Sequence, residues 1–251
     1  MLAGLAAVLR NLGKDMGFVQ AVMVGTAFLY VATLVADPGG IRMGGLLSIG
    51  SPSPQSLLRF GAAGAIPVFI LRRWWTVLSA GWLHGGLLHI GFNLYWIRFL
   101  APETAEVYGA GRMVIVYTIS SIAGFFVSSA VGFYLPFLGG AGFTVGASAP
   151  ILGLLGALVY YGRRVGSSVV GRQAWYYAVY MLAFGFFMRG LGVDNWAHIG
   201  GFAGGYLGGI LVDPRKPETG NQVALAVVCL ILTVASIVAS LVVAVPALPG
   251  A

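Results

Sequence analysis

Charged residues are scarce in this chain of 251 residues. Only 8% of its residues are Asp, Glu, Lys or Arg, and 59% are hydrophobic, whereas a soluble domain typically carries about 25% charged residues. This composition excludes an ordinary water-soluble globule. Several apolar runs approach or exceed the roughly 18 residues that a membrane-spanning helix needs. The sequence therefore predicts an all-α protein that crosses a membrane several times.

Cysteine is also scarce, because Cys229 is the only one and lies within an apolar run. One thiol excludes a disulfide framework and a cluster of thiolate ligands. The sequence contains neither an HExxH motif nor a Walker loop, so we expect no metal and no cofactor. The formal charge of +7 is spread over short segments between apolar runs and forms no basic patch with interleaved aromatics. A lipid bilayer is therefore the expected surrounding, and nucleic acid is not an expected partner.

Seven spans can be placed in a single membrane domain that covers residues 1–251. The predicted spans are 18–36, 84–100, 112–135, 148–162, 173–190, 196–212 and 222–245. A short tail (1–17) precedes them, and a long loop (37–80) with four prolines separates the first two. The first run could be a signal peptide, but it is long for the 7–15 apolar residues of that class, so we interpret it as a span. The last span is an additional C-terminal helix.

The basic residues predict the orientation of the bundle. With the N-terminus in the cytoplasm, nine of the fourteen Lys and Arg residues lie on the inner side. Spans 2, 4 and 6 then run from outside to inside, so their first turns lie at similar depth. Span 4 reaches Arg163 only about fifteen residues after Ser148, which is short for a full crossing. Its first turn should therefore start inside the membrane, beside a water-filled cavity.

Ser148 opens span 4 and is the candidate nucleophile. A serine at a helix start is usually only an N-cap, and that interpretation is the simpler one for Ser148 in isolation. The N–H groups at a helix N-terminus can, however, stabilise an oxyanion that forms when a serine attacks a carbonyl. Gly146, two residues earlier, would let the backbone approach a substrate closely.

His198, at the start of span 6, is the candidate general base, because histidine has an unperturbed pKa of roughly 6.5 and can activate a serine at neutral pH. It could instead only bond a neighbouring helix, although ionisable groups in membranes are often functional. Glycines that follow it, and a matching set on span 4, predict close packing of the two helices. These small residues are Gly201, Gly204, Gly205, Gly208 and Gly209 on span 6, and Gly153, Gly156 and Ala157 on span 4.

His89 and Asn93 lie four residues apart on span 2 and therefore share a helix face. They could bond only each other or a nearby carbonyl, or they could donate hydrogen bonds to the oxyanion of the transition state. Asp194 lies four residues before His198 and could orient it. We do not predict that role, because a carboxylate in a loop at the membrane surface is more simply explained as solvated.

Three motifs on alternate spans resemble those of the rhomboid family of intramembrane serine proteases. Residues 82–93 (WLHGGLLHIGFN) look like the family's second-helix motif, residues 146–149 (GASA) resemble its GxSG nucleophile motif, and residues 197–201 (AHIGG) resemble its AHxGG motif. The likeness runs from about Arg73 to Gly209. The combination of all three motifs, in the expected order, is far more specific than any one of them.

The resemblance implies a dyad of Ser148 and His198 without a catalytic acid, with His89 and Asn93 in the oxyanion site. It also implies cleavage of single-span transmembrane protein substrates near the outer face, and a fold with six helices plus one. The sequence departs from the family's pattern at two positions. Ala149 stands where a glycine usually follows the serine, and Thr76 stands where an arginine would often follow Trp75.

Two other functions are weighed against proteolysis. A catalytically inactive rhomboid-like protein would bind transmembrane helices, but the presence of both Ser148 and His198 argues against it. A small channel or transporter would be expected to carry inverted repeats, and the sequence has no such symmetry. We expect a prokaryotic inner membrane, because the N-terminal tail is short and carries no organelle-targeting pattern.

Overall fold

The computed structural model describes residues 17–44, 48–187 and 192–244. Seven long helices, numbered α1 to α7 in chain order, make up most of this part of the chain. They are α1 (Gly17–Val35), α2 (Leu87–Tyr108), α3 (Ala110–Tyr134), α4 (Ser148–Val165), α5 (Ser168–Phe187), α6 (Asn195–Val212) and α7 (Gly220–Val242). Each predicted span overlaps one of them, so the prediction of an all-α bundle of about seven helices is confirmed.

Membrane-spanning character is clearest in three of these helices. By length and composition alone, α1, α3 and α7 are apolar enough to cross a bilayer. α4 lies at the centre of the bundle, where most of its residues are buried, and it packs most closely against α6. An integral membrane bundle with α4 enclosed by its neighbours follows from this arrangement.

Several helix boundaries differ from the prediction. α2 does not end at residue 100 but continues through Pro102 to Tyr108, although proline usually ends a helix. Buried Leu100 and Thr104 hold this stretch against the core, and Gly109, with φ of +95°, ends the helix instead. Tertiary packing therefore overrides the local preference of the proline.

Two further boundaries lie in the connection between α4 and α5. α4 extends three residues beyond the predicted end to Val165, where Gly166 adopts the left-handed conformation with φ of +80°. α5 begins at Ser168, five residues before its predicted start. The predicted ends at residues 190 and 245, and most of the predicted tail, lie outside the described residues.

The first loop, defined here as residues 36–86, contains several short helices rather than an irregular connection. They are Pro38–Gly40, Pro54–Phe60, the π-helical turn Ile66–Ile70, Thr76–Ser79 and Ala80–Trp82. Leu57 and Leu58 are buried against the bundle, whereas Ile70 and Trp74 are exposed. One part of the first loop therefore packs against the bundle, while another part leaves large apolar side chains exposed.

Arg112, at the start of α3, fixes the connection between α6 and α7. Its buried guanidinium donates hydrogen bonds to the carbonyl oxygens of Asp213, Lys216 and Pro217. Asp213 also pairs with Arg215 at 2.9 Å. Hydrogen bonds from Arg215 lower the pKa of this carboxyl to about 2.

Candidate active site

Ser148 is the first residue of α4, and the loop before it is held by backbone bonds to the first loop. The N–H of Gly146 donates to the carbonyl oxygen of Ala80 (3.0 Å), and Ala63 and Thr144 exchange two further backbone bonds. The N-cap position belongs to Ala147, and no side chain caps the helix. The half-buried hydroxyl of Ser148 is therefore not used as an N-cap, which removes the simpler interpretation of this serine.

The structure brings the two candidate dyad residues together. Nε2 of His198 lies 2.8 Å from Oγ of Ser148, within the range of an O–H···N hydrogen bond. His198 is buried, with 5% of its surface exposed. A hydroxyl and an imidazole at this distance can exchange a proton, which is the requirement for general-base activation of a serine.

Close packing of α4 and α6 sets this distance. A Cβ atom added to Gly201 would lie 2.1 Å from the carbonyl oxygen of Ala149, and one added to Gly205 would lie 1.9 Å from that of Gly153. Only glycine permits such an approach of two backbones. The predicted close packing is confirmed for Gly201, Gly205 and Gly209, whereas Gly204 and Gly208 face α3 instead.

Asp194 caps α6 and does not orient the imidazole. One carboxylate oxygen accepts the N–H of Ala197 (3.0 Å), and the other accepts the hydroxyl of Ser128 (2.6 Å). The expectation of a simply solvated carboxylate is therefore wrong, because Asp194 has two specific partners. Neither carboxylate oxygen bonds to His198, which agrees with leaving Asp194 out of a triad. Nδ1 of His198 has no hydrogen-bond partner in the part of the chain that the structure describes.

His89 points one ring nitrogen toward the start of α4. Its Nδ1 accepts a hydrogen bond from the N–H of Gly85 (3.3 Å), so the neutral ring carries its proton on Nε2. A Cβ atom added to Gly146 would lie 2.6 Å from this Nε2 and 3.7 Å from Oγ of Ser148. The absence of a side chain at Gly146, where φ is +137°, thus leaves the imidazole close to the serine.

Asn93 is buried and makes a local bond. Its Nδ2 donates to the carbonyl oxygen of His89 (2.9 Å), which is one of the two alternatives that the sequence left open. The amide has a second N–H group available for another acceptor. A role for Asn93 as an oxyanion donor stays a prediction.

His84 is a part of the site that the sequence did not assign. It is fully buried, and its Nε2 accepts a hydrogen bond from the N–H of Ala147 at 3.4 Å. The rings of His84 and His89 also meet edge to face, with centroids 5.0 Å apart. The signal in the sequence was the pair of histidines at the start of span 2, but a bond to the backbone before Ser148 could not be predicted from that spacing.

A cavity of about 530 Å³ lies elsewhere, between the first loop and α3. Its lining includes Phe69, Arg72, Trp74 and Phe126, and neither Ser148 nor His198 takes part. The water-filled cavity that the sequence predicts at the start of α4 therefore stays a prediction.

Comparisons with known proteins agree with the three motifs. Residues 71–215 match the model of the Rhomboid domain, and this segment includes every candidate site residue. The chain is 29% identical to the Rhomboid protease GluP of Bacillus subtilis (strain 168), over 74% of this chain and 35% of that protein.

Two plant proteins are similar at the same level. RHOMBOID-like protein 7 of Arabidopsis thaliana is 31% identical over 69% of this chain and 55% of its own length. RHOMBOID-like protein 4 of the same plant is 31% identical over 64% of this chain and 40% of its length. The chain thus spans between about a third and just over half of these relatives. Since the Rhomboid domain covers more than half of the chain, this integral membrane protein belongs to the rhomboid family.

Proposed function

We propose that the protein is an intramembrane serine endopeptidase that cleaves single-span transmembrane proteins near the outer face of the membrane. The observation that carries the proposal is the 2.8 Å distance between Nε2 of His198 and Oγ of Ser148. Family membership supports it, because GluP, a protein similar to this chain, is named a protease.

The first chemical step is acylation of Ser148. Its Oγ attacks the carbonyl carbon of the scissile peptide bond while Nε2 of His198 takes the hydroxyl proton. The tetrahedral intermediate collapses when the imidazolium returns this proton to the leaving amine. Water then attacks the acyl-enzyme with His198 again as the base, which releases the carboxylate product and restores the serine.

Charge on the oxyanion needs donors that are already in place. The N–H groups of Ser148 and Ala149, in the first turn of α4, have no partners within their helix, and the positive end of the helix dipole favours an anion there. The Nε2–H of the neutral His89 ring and Oγ of Ser148 both lie close to Gly146, at 2.6 Å and 3.7 Å from the place that a Cβ atom would take there. We assign these groups and the second N–H of Asn93 to the oxyanion site, with Gly146 as the position where substrate passes the backbone.

A dyad without an acid is supported by the surroundings of His198. Both carboxylate oxygens of Asp194 are engaged by Ala197 and Ser128. For Nε2 to accept a hydrogen bond from the serine O–H, the neutral ring must carry its own proton on Nδ1. That tautomer is the one a general base needs, and packing against α4 holds the ring in place.

Labelling with a fluorophosphonate tests the nucleophile. We expect purified protein in detergent to be labelled at Ser148, and a Ser148→Ala variant to remain unlabelled. Ser168→Ala, which removes an exposed serine at the opposite end of the bundle, is the matched control and should label as the wild type does. Equal labelling of the Ser148→Ala variant would contradict the assignment.

Proteolysis of a panel of single-span substrates tests the reaction itself. We expect cleavage products whose new termini, located by mass spectrometry, lie near the outer end of the substrate helix. A protein that binds these substrates and never cuts them would instead be a catalytically inactive rhomboid-like protein. The prokaryotic inner membrane stays a prediction, since the relatives come from both a bacterium and a plant.

Kinetics of two further variants test the oxyanion site. His89→Ala and Asn93→Ala should lower kcat far more than they raise KM, because the proposed contacts strengthen only in the transition state. Removal of one such donor typically lowers the rate about 10²- to 10³-fold. Unchanged turnover in either variant would remove that residue from the mechanism.

A further inference from the structure

α7 carries a buried polar face, defined here as Thr233, Ser236 and Ser240. All three side chains are at most 4% exposed, although the rest of the helix is strongly apolar. The spacing of three and four residues places them on one side of the helix. Polar groups inside a membrane need partners within the protein, so the contacts of this face indicate what α7 does.

Ser236 and Ser240 bond to the first loop rather than to their own helix. The indole Nε1–H of Trp75 donates to Oγ of Ser240 (3.0 Å), and Nη2 of Arg73 donates to the carbonyl oxygen of Ser240 (2.6 Å). Ser236 donates its hydroxyl to the carbonyl oxygen of Trp75 (2.8 Å), and its Oγ lies 3.1 Å from that of Ser79. Four contacts therefore attach the last helix to the segment before α2.

This segment of the first loop leads directly to the candidate nucleophile. Ala80, which follows Ser79, accepts the N–H of Gly146 at 3.0 Å. Gly146 lies two residues before Ser148 and faces His89. A continuous path of hydrogen bonds and short backbone stretches thus runs from α7 through residues 73–80 to the start of α4.

We propose that Ser236 and Ser240 are positioning residues, and that α7 acts through residues 73–80 to hold the loop before Ser148 in its reactive geometry. This inference rests on the proposed peptidase function. It assigns the additional seventh helix a part in positioning the nucleophile, through residues that do not touch Ser148 or His198. Arg73 also takes part, because its Nη1 donates to the carbonyl oxygen of Leu58 (2.7 Å) and so joins two parts of the first loop to α7.

Thr233 supplies the matched control for this proposal. It lies on the same buried face, but its hydroxyl donates to the carbonyl oxygen of Cys229 in its own helix (3.0 Å). A Thr233→Val variant loses one hydroxyl from α7 without losing a bond to the first loop. The double variant Ser236→Ala/Ser240→Ala loses both side-chain attachments.

The test is the rate at which a fluorophosphonate labels Ser148, followed to completion in purified full-length protein. Displacement of the loop lowers the rate constant, whereas a partly unfolded sample lowers only the final amount of label. Side-chain hydrogen bonds between membrane helices correspond on average to about a threefold change in an equilibrium. We therefore expect the double variant to label about tenfold more slowly to the same end point, and Thr233→Val to label at the wild-type rate.

Substitution of Trp75, which donates its indole N–H to Ser240, provides a second test. Trp75→Phe removes the indole donor to Ser240 and keeps an aromatic ring. It should slow labelling about threefold, and its combination with Ser240→Ala should slow labelling no further, because both changes remove one bond. Full additivity of the two changes, or a wild-type rate in the Ser236→Ala/Ser240→Ala variant, would overturn the proposal.

Hydrogen exchange separates failure of this inference from failure of the proposed function. The amide of Gly146 should exchange faster in the Ser236→Ala/Ser240→Ala variant than in the wild type or in Thr233→Val, whether or not the protein is labelled. An unlabelled wild type with this exchange pattern would contradict only the peptidase function. A labelled wild type with unchanged rates and unchanged exchange in the variant would contradict only the role of α7.

Discussion

Substitution of Gly201 tests whether close packing of α6 against α4 holds Ser148 and His198 within hydrogen-bond distance. It lies three residues after His198, and a Cβ atom at this position would meet the carbonyl oxygen of Ala149 at 2.1 Å. Ordinary van der Waals contact begins near 3.4 Å, so a Gly201→Ala variant must move α6 away from α4 by about 1.3 Å. If that movement separates the dyad, the distance from His198 to Ser148 rises from 2.8 Å to about 4 Å, which is too long for a hydrogen bond.

The size of the effect follows from this displacement. A misplacement of about 1 Å at a reacting group lowers a rate by about 10²-fold, and overpacking destabilises a protein by about 1–3 kcal/mol. We expect Gly201→Ala to lose at least about 10²-fold in kcat/KM for a cleaved single-span substrate. Thermal unfolding in detergent should still show a folded protein.

Gly208, on the same helix, is the matched control. A Cβ atom there would meet nothing closer than Cγ2 of Val116 at 3.6 Å, and alanine is favoured over glycine within a helix by about 1 kcal/mol. Gly208→Ala should therefore keep wild-type activity and unfold at the same or a higher temperature. Wild-type activity in Gly201→Ala would refute the view that contact between these two backbones holds the dyad together.

Three further substitutions, two of them with a matched control, test the roles of the backbone at Gly146, the helix cap Asp194 and the buried charge of Arg112. Gly146→Ala should lower the fluorophosphonate labelling rate at least about tenfold, since its Cβ would lie 2.6 Å from Nε2 of His89. Its control is Gly166→Ala, which is also at positive φ but has open space around it and should lower only stability. Equal labelling rates in the two variants would contradict the proposed effect of Gly146. Asp194→Asn should label within about tenfold of the wild-type rate, because asparagine caps helices as well as aspartate does, whereas a loss of about 10⁴-fold would identify a catalytic acid. Arg112→Gln should lower the free energy of unfolding by about 1.5–3 kcal/mol, because three carbonyl oxygens lose a charged hydrogen-bond donor. Exposed Arg172→Gln should change it by less than about 0.5 kcal/mol, and similar unfolding midpoints of the two variants would contradict the role of the buried guanidinium.

The sequence predicted the fold well because membrane helices leave strong local signals. Long apolar runs marked the seven helices, and glycines at a spacing of four on span 6 predicted its contact with α4. The motifs on spans 2, 4 and 6 placed Ser148 and His198 at similar depth. Helix ends were predicted less well, as at Pro102, because tertiary packing decides whether a proline ends a helix or lies within it.

Contacts between distant segments could not be predicted in the same way. Asp194 bonds to Ser128, 66 residues away, and Arg73 bonds to Ser240, 167 residues away. A polar residue in an apolar run shows only that some partner must exist. Which partner it finds depends on how the helices pack, and a single sequence carries no direct signal of that choice.

Two kinds of contact therefore determine the geometry of the candidate site. Backbone contact at Gly201 sets the distance between α4 and α6, and it leaves little freedom because backbone atoms cannot rearrange as side chains do. Hydrogen bonds through Asp194 and Ala80 fix where the first turns of these helices lie, and each is weak enough to be lost singly without unfolding the bundle. Gly201→Ala should consequently lower activity by at least about 10²-fold in one step, whereas loss of these positioning hydrogen bonds should lower it gradually, by a few-fold for each bond removed.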